Sequence, residues 1–210
     1  MIGKLWADCA HFGPSSIEQT EVSPLAMADE YDVQLLRRMA DGDEAALDDL
    51  YARHAPALFS YLLTLTDDRF EAEEVLQDTL VVAWRSARRF EGRARVRTWL
   101  LAIAHRQERD RRRRHAITIG PEAELDRLTD VARGPEELAL AHEEVVELGA
   151  LVARLNPSQR TILALAFVHQ LSYAEIAAVL DLPIGTVKSR LNNARNALQS
   201  LRDQQQEVPE

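Results

Sequence analysis

The sequence predicts an all-α chain of two small helical domains joined by a flexible linker. Three observations lead there. Good helix formers (Ala, Leu, Arg, Glu) dominate, while Gly and Pro number only 8 each. Apolar residues recur at helical spacing in separate stretches. That spacing lapses over residues 116–135, where Gly120-Pro121 and Gly134-Pro135 punctuate the chain. The expected plan is a tail over 1–28, a first domain over 29–115, an acidic linker over 116–135, a second domain over 136–203 and a short tail over 204–210.

The tail carries Gly13-Pro14 and Ser23-Pro24 and no sustained period. It reads as a disordered leader or a regulatory arm, and Met27 is an alternative start. Helical patterning begins at Tyr31, with Val33, Leu35, Leu36 and Met39, and stops at Asp41-Gly42-Asp43. A second stripe runs Ala46, Leu47, Leu50, Tyr51 and continues as Leu58, Tyr61, Leu62, Leu65, with Pro56 expected to kink or interrupt it. Asp67 or Asp68 would cap a third helix. Its apolar face would be Phe70, Val75, Leu76, Leu80, Val81 and Trp84, and its acidic face Glu71, Glu73, Glu74 and Asp78. A loop at Phe90-Glu91-Gly92 precedes a helix with Trp99, Leu100, Ile103 and Ala104, which ends in Arg111–Arg114. In the second domain, Leu138 to Leu155 forms one helix. Asn156-Pro157-Ser158-Gln159 starts another, and Ser172-Tyr173-Ala174-Glu175 is a capping box.

The formal net charge of −9 argues against nucleic acid only if it is spread evenly. It is not. Residues 85–115 hold 12 basic and 3 acidic side chains, so an acidic chain contains one intensely basic block. The lone cysteine, Cys9, excludes an internal disulfide and points to the reducing cytoplasm. No apolar run approaches the ~18 residues of a membrane span, so no membrane insertion is expected. His11, His54, His105, His115, His142 and His169 are dispersed, so no metal site, cofactor or catalytic residue is predicted.

Two constellations carry functional chemistry. Over residues 172–195, Ile176, Ala177 and Leu180 meet a tight turn at Asp181-Leu182, and Val187 and Leu191 then point inward. That is helix-turn-helix spacing, with the second helix destined for a major groove. Small Ala177 lets the helices cross closely, and Asp181 tolerates a left-handed backbone. The outward face offers Thr186, Lys188, Ser189, Arg190, Asn192, Asn193 and Arg195, donors for phosphates and base edges. A plain helical hairpin with a solvated face is the alternative. Over residues 84–114, Arg85, Arg88, Arg89, Arg93, Arg95 and Arg97 surround Phe90, with Trp99 behind. Interleaved cations and aromatics suit single-stranded nucleic acid, and the loop near Gly92 could hold an unstacked base. Trp84 reads as core, whereas Trp99 is open between core and nucleic-acid contact. Arg111–Arg114 has a solvated helix end as its alternative reading. The acidic face is either solvated or a protein-docking surface.

These segments resemble a known family. LNPSQRTILALAFVHQLSYAEIAAVLDLPIGTVKSRLNNAR, residues 155–195, is similar to region 4 of bacterial sigma factors. Residues 70–114, from FEAEEVLQDTLVVAWRSARRFEG to RTWLLAIAHRQERDRRRR, resemble region 2. Two regions with only a short linker between them is the layout of the extracytoplasmic-function (ECF) group, and the resemblance covers residues 31–203. It implies a sigma factor that binds core RNA polymerase, directs it to promoters and assists melting, with an anti-sigma factor as a further partner. Glu73, Glu74, Gln77 and Asp78 would dock on the polymerase clamp. Arg89, Phe90, Arg93, Arg95 and Arg97 would capture the melted non-template strand of the downstream element. Trp99, His105, Arg106 and Arg109 would support strand separation and adjacent duplex contacts. Thr186, Lys188, Ser189, Arg190, Asn192, Asn193 and Arg195 would engage the upstream duplex element, with Thr186 and Arg190 mostly on phosphates. Two positions depart from the family pattern: Arg106 stands where Asn is common, and Asn193 where Arg is common.

Residues 116–135 would reach roughly 66 Å when extended at ~3.3 Å per residue, close to two duplex turns of ~34–36 Å each. The two units could therefore sit on separate elements, with the acidic linker in a polymerase channel. The alternative function is a stand-alone helix-turn-helix regulator of duplex DNA. A third is an adaptor that keeps the folds without reading DNA.

Overall fold

The computed structural model describes residues 24–66, 68–119 and 142–206, with side chains over 29–66, 68–115 and 148–205. Cys9, most of the 1–28 tail, most of the linker, and residues 207–210 lie outside the described residues. In chain order the elements are α1 (Pro24–Ala40), α2 (Glu44–Leu65), α3 (Arg69–Ser86), a 3-10 turn (Ala87–Arg89) and α4 (Val96–Ile119). Then follow α5 (His142–Ala153), α6 (Pro157–Leu163), a π-helical turn (Ala164–Val168), α7 (Tyr173–Leu180) and α8 (Ile184–Gln206). No strand occurs among the described residues.

The first unit packs α2 against α1, α3 and α4. Leu35, Leu36, Met39, Leu50, Leu58, Leu62, Leu100 and Leu101 are almost solvent-free. Each such side chain contributes about 1.5–3 kcal/mol by leaving water. Helix α1 starts at Pro24, seven residues before the apolar stripe, because a helix can extend beyond the residues it buries. Asp32 ties it to α2, accepting from His54 Nε2 at 2.9 Å and from Arg53 Nε at 2.7 Å. Burial alone would raise this carboxyl, but those two bonds outweigh it and hold it below the ordinary carboxylate range.

Pro56 does not interrupt α2, which runs unbroken from Glu44 to Leu65. Pro56 and Ala52 are both exposed, so the carbonyl that Pro56 cannot reach faces water. Asp68 caps α3, accepting from the Phe70 backbone N–H at 2.7 Å. The apolar face of α3 is narrower than its sequence suggests. Ala72, Val75, Leu76 and Ala83 are buried, whereas Phe70 is 79% exposed and Val81 is exposed. Phe70 and Val81 share the side of the helix opposite Ala72, Val75, Leu76 and Ala83, so they face away from the core.

The second unit is built by local rules. Asn156 and Gln159 form a reciprocal capping box at α6, with Pro157 at its first position. Ser172 and Glu175 form another at α7. Asp181 ends α7 in the left-handed region at φ 55°, ψ 51°. Ile176, Val179, Val187, Leu191 and Ala194 form the core where α7 meets α8. Helix α4 runs on to Ile119 and α8 to Gln206, each past the boundary expected from the sequence. The two units touch: α4 packs on α7, and α2 on α6.

Candidate nucleic-acid interface

Helix α8 presents Lys188, Ser189, Arg190, Asn192 and Asn193 to solvent on one length of helix, while Val187, Leu191 and Ala194 hold it from behind. Thr186 is half-buried in the first turn. Lys188 Nζ lies 5.8 Å from the Tyr173 ring centroid, which places the ammonium at the edge of the face. Arg195 differs from the other expected readers. Its guanidinium lies 5.4 Å from the Phe167 ring centroid, and its Nε is buried without a hydrogen bond among the described residues.

The downstream surface is a loop held by tertiary contacts. Arg88 Nε donates to the Ala40 carbonyl at 2.6 Å, and Asp29 Oδ1 accepts from the Val96 N–H at 3.1 Å. These bonds fix the two ends of the loop to α1. Gly92, at φ +70°, makes the turn between them, a conformation that glycine adopts without steric cost. Phe90 and Trp99 meet edge to face, their ring centroids 5.2 Å apart, and both are half-buried against the core. Trp99 is therefore both a core residue and the floor of the loop. Arg89, Arg93 and Arg95 are exposed, and Arg93 pairs with Glu91. A cavity of about 260 Å³ opens between α1 and this loop, lined by Val33, Leu36, Arg37, Arg88, Phe90 and Gly92.

Along α4 the remaining expected residues divide. Arg106 and Arg109 are exposed. His105 is turned inward, its Nδ1 2.9 Å from the Tyr61 hydroxyl. Burial, with Arg109, Arg112 and Arg106 nearby, pushes its pKa down to about 4, so the ring is neutral at pH 7 and shares one hydrogen bond with the Tyr61 hydroxyl. The arginine run is not a plain solvated end. Arg111 reaches Glu71 at 3.1 Å and Glu74 at 3.2 Å. Arg112 bonds Glu108 at 2.6 Å and also reaches the Leu65 carbonyl.

On α3, Glu74, Gln77 and Asp78 are exposed and Glu73 is half-exposed. Glu73 pairs with Arg69 at 3.0 Å. No group of metal-binding side chains occurs among the described residues, and no described helix is long and apolar enough to cross a membrane.

Comparison with known proteins fits this geometry. The Sigma-70 region 2 family model matches residues 50–117, and the Sigma-70 region 4 model matches residues 146–198. The ECF RNA polymerase sigma factor RpoE of Cereibacter sphaeroides is 35% identical over 174 residues, covering 79% of this chain and 92% of that protein. This chain belongs to the ECF group of sigma-70 factors. RNA polymerase sigma-H factor of Pseudomonas aeruginosa is 30% identical, covering 82% of this chain and 94% of its own. Two solved structures share the fold. Sigma factor RpoE in complex with the anti-sigma factor NepR, from Bartonella quintana, matches with TM-score 0.60 and 25% identity over 74% of this chain and 96% of that one. CnrH in complex with the cytosolic domain of CnrY matches with TM-score 0.58 and 26% identity over 82% and 97%. As a sigma factor the chain binds core RNA polymerase and directs it to promoter DNA. Sigma factors are initiation factors rather than enzymes, and the stand-alone regulator is the less favoured reading.

Sequence reading missed Asp29, Arg88, Thr98, Glu175 and His169 as groups that position these surfaces. Their partners lie 48 to 77 residues away along the chain. No local pattern encodes such pairs.

Proposed function

We propose that this sigma factor divides promoter recognition between two surfaces of different build. Lys188, Ser189, Asn192 and Asn193 read base edges of the upstream duplex element, while Thr186 and Arg190 bind its phosphates. Arg195 braces the helix through Phe167 and reaches the backbone from there. Downstream, Phe90 and Trp99 offer aromatic surface to unstacked bases of the non-template strand, and Arg89, Arg93, Arg95 and Arg97 bind its phosphates. The cavity beside Phe90 and Gly92 is the seat for one unstacked base. Arg106 and Arg109 contact the adjoining duplex, and His105 keeps α4 in place through Tyr61.

The observation that carries this division is exposure. The upstream donors stand open on one helical face, and the exposed arginines of the loop flank a half-buried aromatic pair. The acidic Glu73, Glu74 and Asp78 of α3, with Gln77 beside them, dock on the polymerase clamp. The chain works in the cytoplasm, holds no cofactor or metal, catalyses no reaction itself and binds an anti-sigma factor, as the Bartonella quintana RpoE does in its complex with NepR.

The test is promoter opening by reconstituted holoenzyme. Phe90→Ala with Arg93→Ala should reduce open complexes strongly while core binding stays within about twofold. Equal losses in both would remove the loop from melting.

A further inference from the structure

Of the three acids that α3 offers to the polymerase, two are already engaged within the chain. Glu73 pairs with Arg69 at 3.0 Å, and Glu74 Oε2 lies 3.2 Å from Arg111 Nη2. Each pair cancels much of the field that its carboxylate would present to a basic partner. Salt screens what is left, because these side chains stand in water. Charge of this kind guides an encounter more than it holds a complex. Something else on the same face has to supply affinity.

Phe70, Glu74, Gln77 and Val81 follow one another at intervals of four, three and four residues. With about 3.6 residues per turn, all four fall within ~60° of arc, and Phe70 and Val81 stand ~16 Å apart along the axis. Phe70 is 79% exposed, the most exposed large apolar side chain among the described residues, and Val81 is 47% exposed. The phenyl ring has no task in the fold of α3. The Phe70 backbone N–H, not its ring, takes the Asp68 cap. Neighbouring Arg69 turns to Phe59, its guanidinium 5.3 Å from that ring centroid, and so does not cover Phe70. A single exposed apolar side chain needs no explanation. Two of them closing the ends of one straight outward stripe, with an acid and an amide between, match the build of an interface: apolar contacts that bury, polar ones that orient.

We infer that Phe70 and Val81 are the anchors by which α3 holds the polymerase clamp, with the phenyl ring entering an apolar socket on the clamp, and that the acids between and beside them steer the approach. The inference rests on the reading of α3 as the docking face. The clamp surface that fits has two apolar sockets ~16 Å apart, matching the rise of the stripe, with cationic groups between them. Phe70 thereby gives the complex an affinity that salt does not remove.

The test measures binding of the full chain to core RNA polymerase by biolayer interferometry at about 0.1 M and about 0.4 M salt. Burying a phenyl ring corresponds to roughly ten- to hundredfold in Kd. Phe70→Ala should therefore weaken binding at least about tenfold at both salt concentrations. Val81→Ala should cost less, and Phe70→Leu should restore most of the loss. Glu74→Gln with Asp78→Asn should slow association at low salt and change little at high salt. Phe70→Ala within about twofold of the parent, beside a weakened acid variant, would overturn the anchors and leave the docking face standing. No loss in either variant would overturn the docking face as well. The melt of the free chain should not move in Phe70→Ala, because the ring is exposed. A lower transition would mean that the chain itself covers the ring, and would overturn the inference. So would a parent protein that sediments as a dimer and becomes a monomer in Phe70→Ala, which would assign the stripe to a second copy.

Discussion

The upstream and downstream surfaces of this sigma factor are made in opposite ways. The upstream reader is assembled almost entirely by neighbours in sequence: Ser172 with Glu175, the left-handed Asp181, then Val187 and Leu191 four residues apart. Its reading face is open as folded. The downstream surface is assembled by distant contacts, from Asp29 to Val96 and from Arg88 to Ala40, and two of its arginines touch the other unit. A local motif makes a rigid reader of duplex DNA. A loop pinned from several elements makes a surface whose shape depends on the packing of distant parts of the chain.

That contrast can be broken at its strongest point first. Leu191→Ala removes a side chain only 2% exposed in the small α7–α8 core. It should cost roughly 2–5 kcal/mol, seen as an earlier unfolding transition of the second unit, with upstream-element binding lost. An unchanged melt would mean that the reader is not held by this core.

Phe90→Ala with Arg93→Ala probes the loop. Loss of one aromatic stack is worth ~1–3 kcal/mol per base, so open complexes scored by permanganate reactivity should fall by tenfold or more. Core binding and the melt of the second unit should stay as they were.

Smaller effects separate readers from braces on α8. Arg190→Ala should weaken binding to all upstream sequences and reduce the salt slope by about one. Asn193→Arg should instead change base preference, since Arg favours guanine and Asn adenine. A promoter library with an unchanged preference would reject Asn193 as a reader. Smallest of all, Asp181→Gly should leave stability within a few tenths of a kcal/mol of the parent or raise it slightly, because φ 55° suits glycine.

Acid offers a further contrast. His105 and His169 both have pKa values lowered to about 4 from 6.5, chiefly by burial and then by nearby arginines. The unfolded chain therefore takes up protons that the folded chain refuses between these values. Stability should be full above about pH 6.5 and fall as pH drops toward 4. His169→Ala should flatten that slope in urea melts at pH 7 and pH 5, and a slope equal to the parent's would mean that His169 is not buried in solution.

Legibility from sequence follows the same divide. The Ser172–Glu175 capping box, the helix start at Asn156-Pro157, the Asp181 turn, the Asp68 cap and the inward Val187 and Leu191 were all readable, because each is a rule about residues within one turn. Pro56 was misleading, since a local rule forbids what an exposed carbonyl permits. Phe70 was misleading too, because it was grouped with the apolar residues of α3 although helical spacing sets it on the opposite face from Ala72 and Val75. Arg111, open in sequence between nucleic-acid contact and a solvated helix end, grips Glu71 and Glu74 on α3. Thr98 with Glu175 had no signal at all, for a pair 77 residues apart is created only by the packing of two units.

The central claim is that one chain gives core polymerase two separate promoter contacts. Transcription by core enzyme on a randomised promoter pool, with and without this protein, tests it most directly. The account predicts chain-dependent transcripts from templates sharing an upstream duplex element and a downstream melted element, with little binding by the chain alone. Tight polymerase-independent binding to paired half-sites, with no selected transcripts, would contradict it.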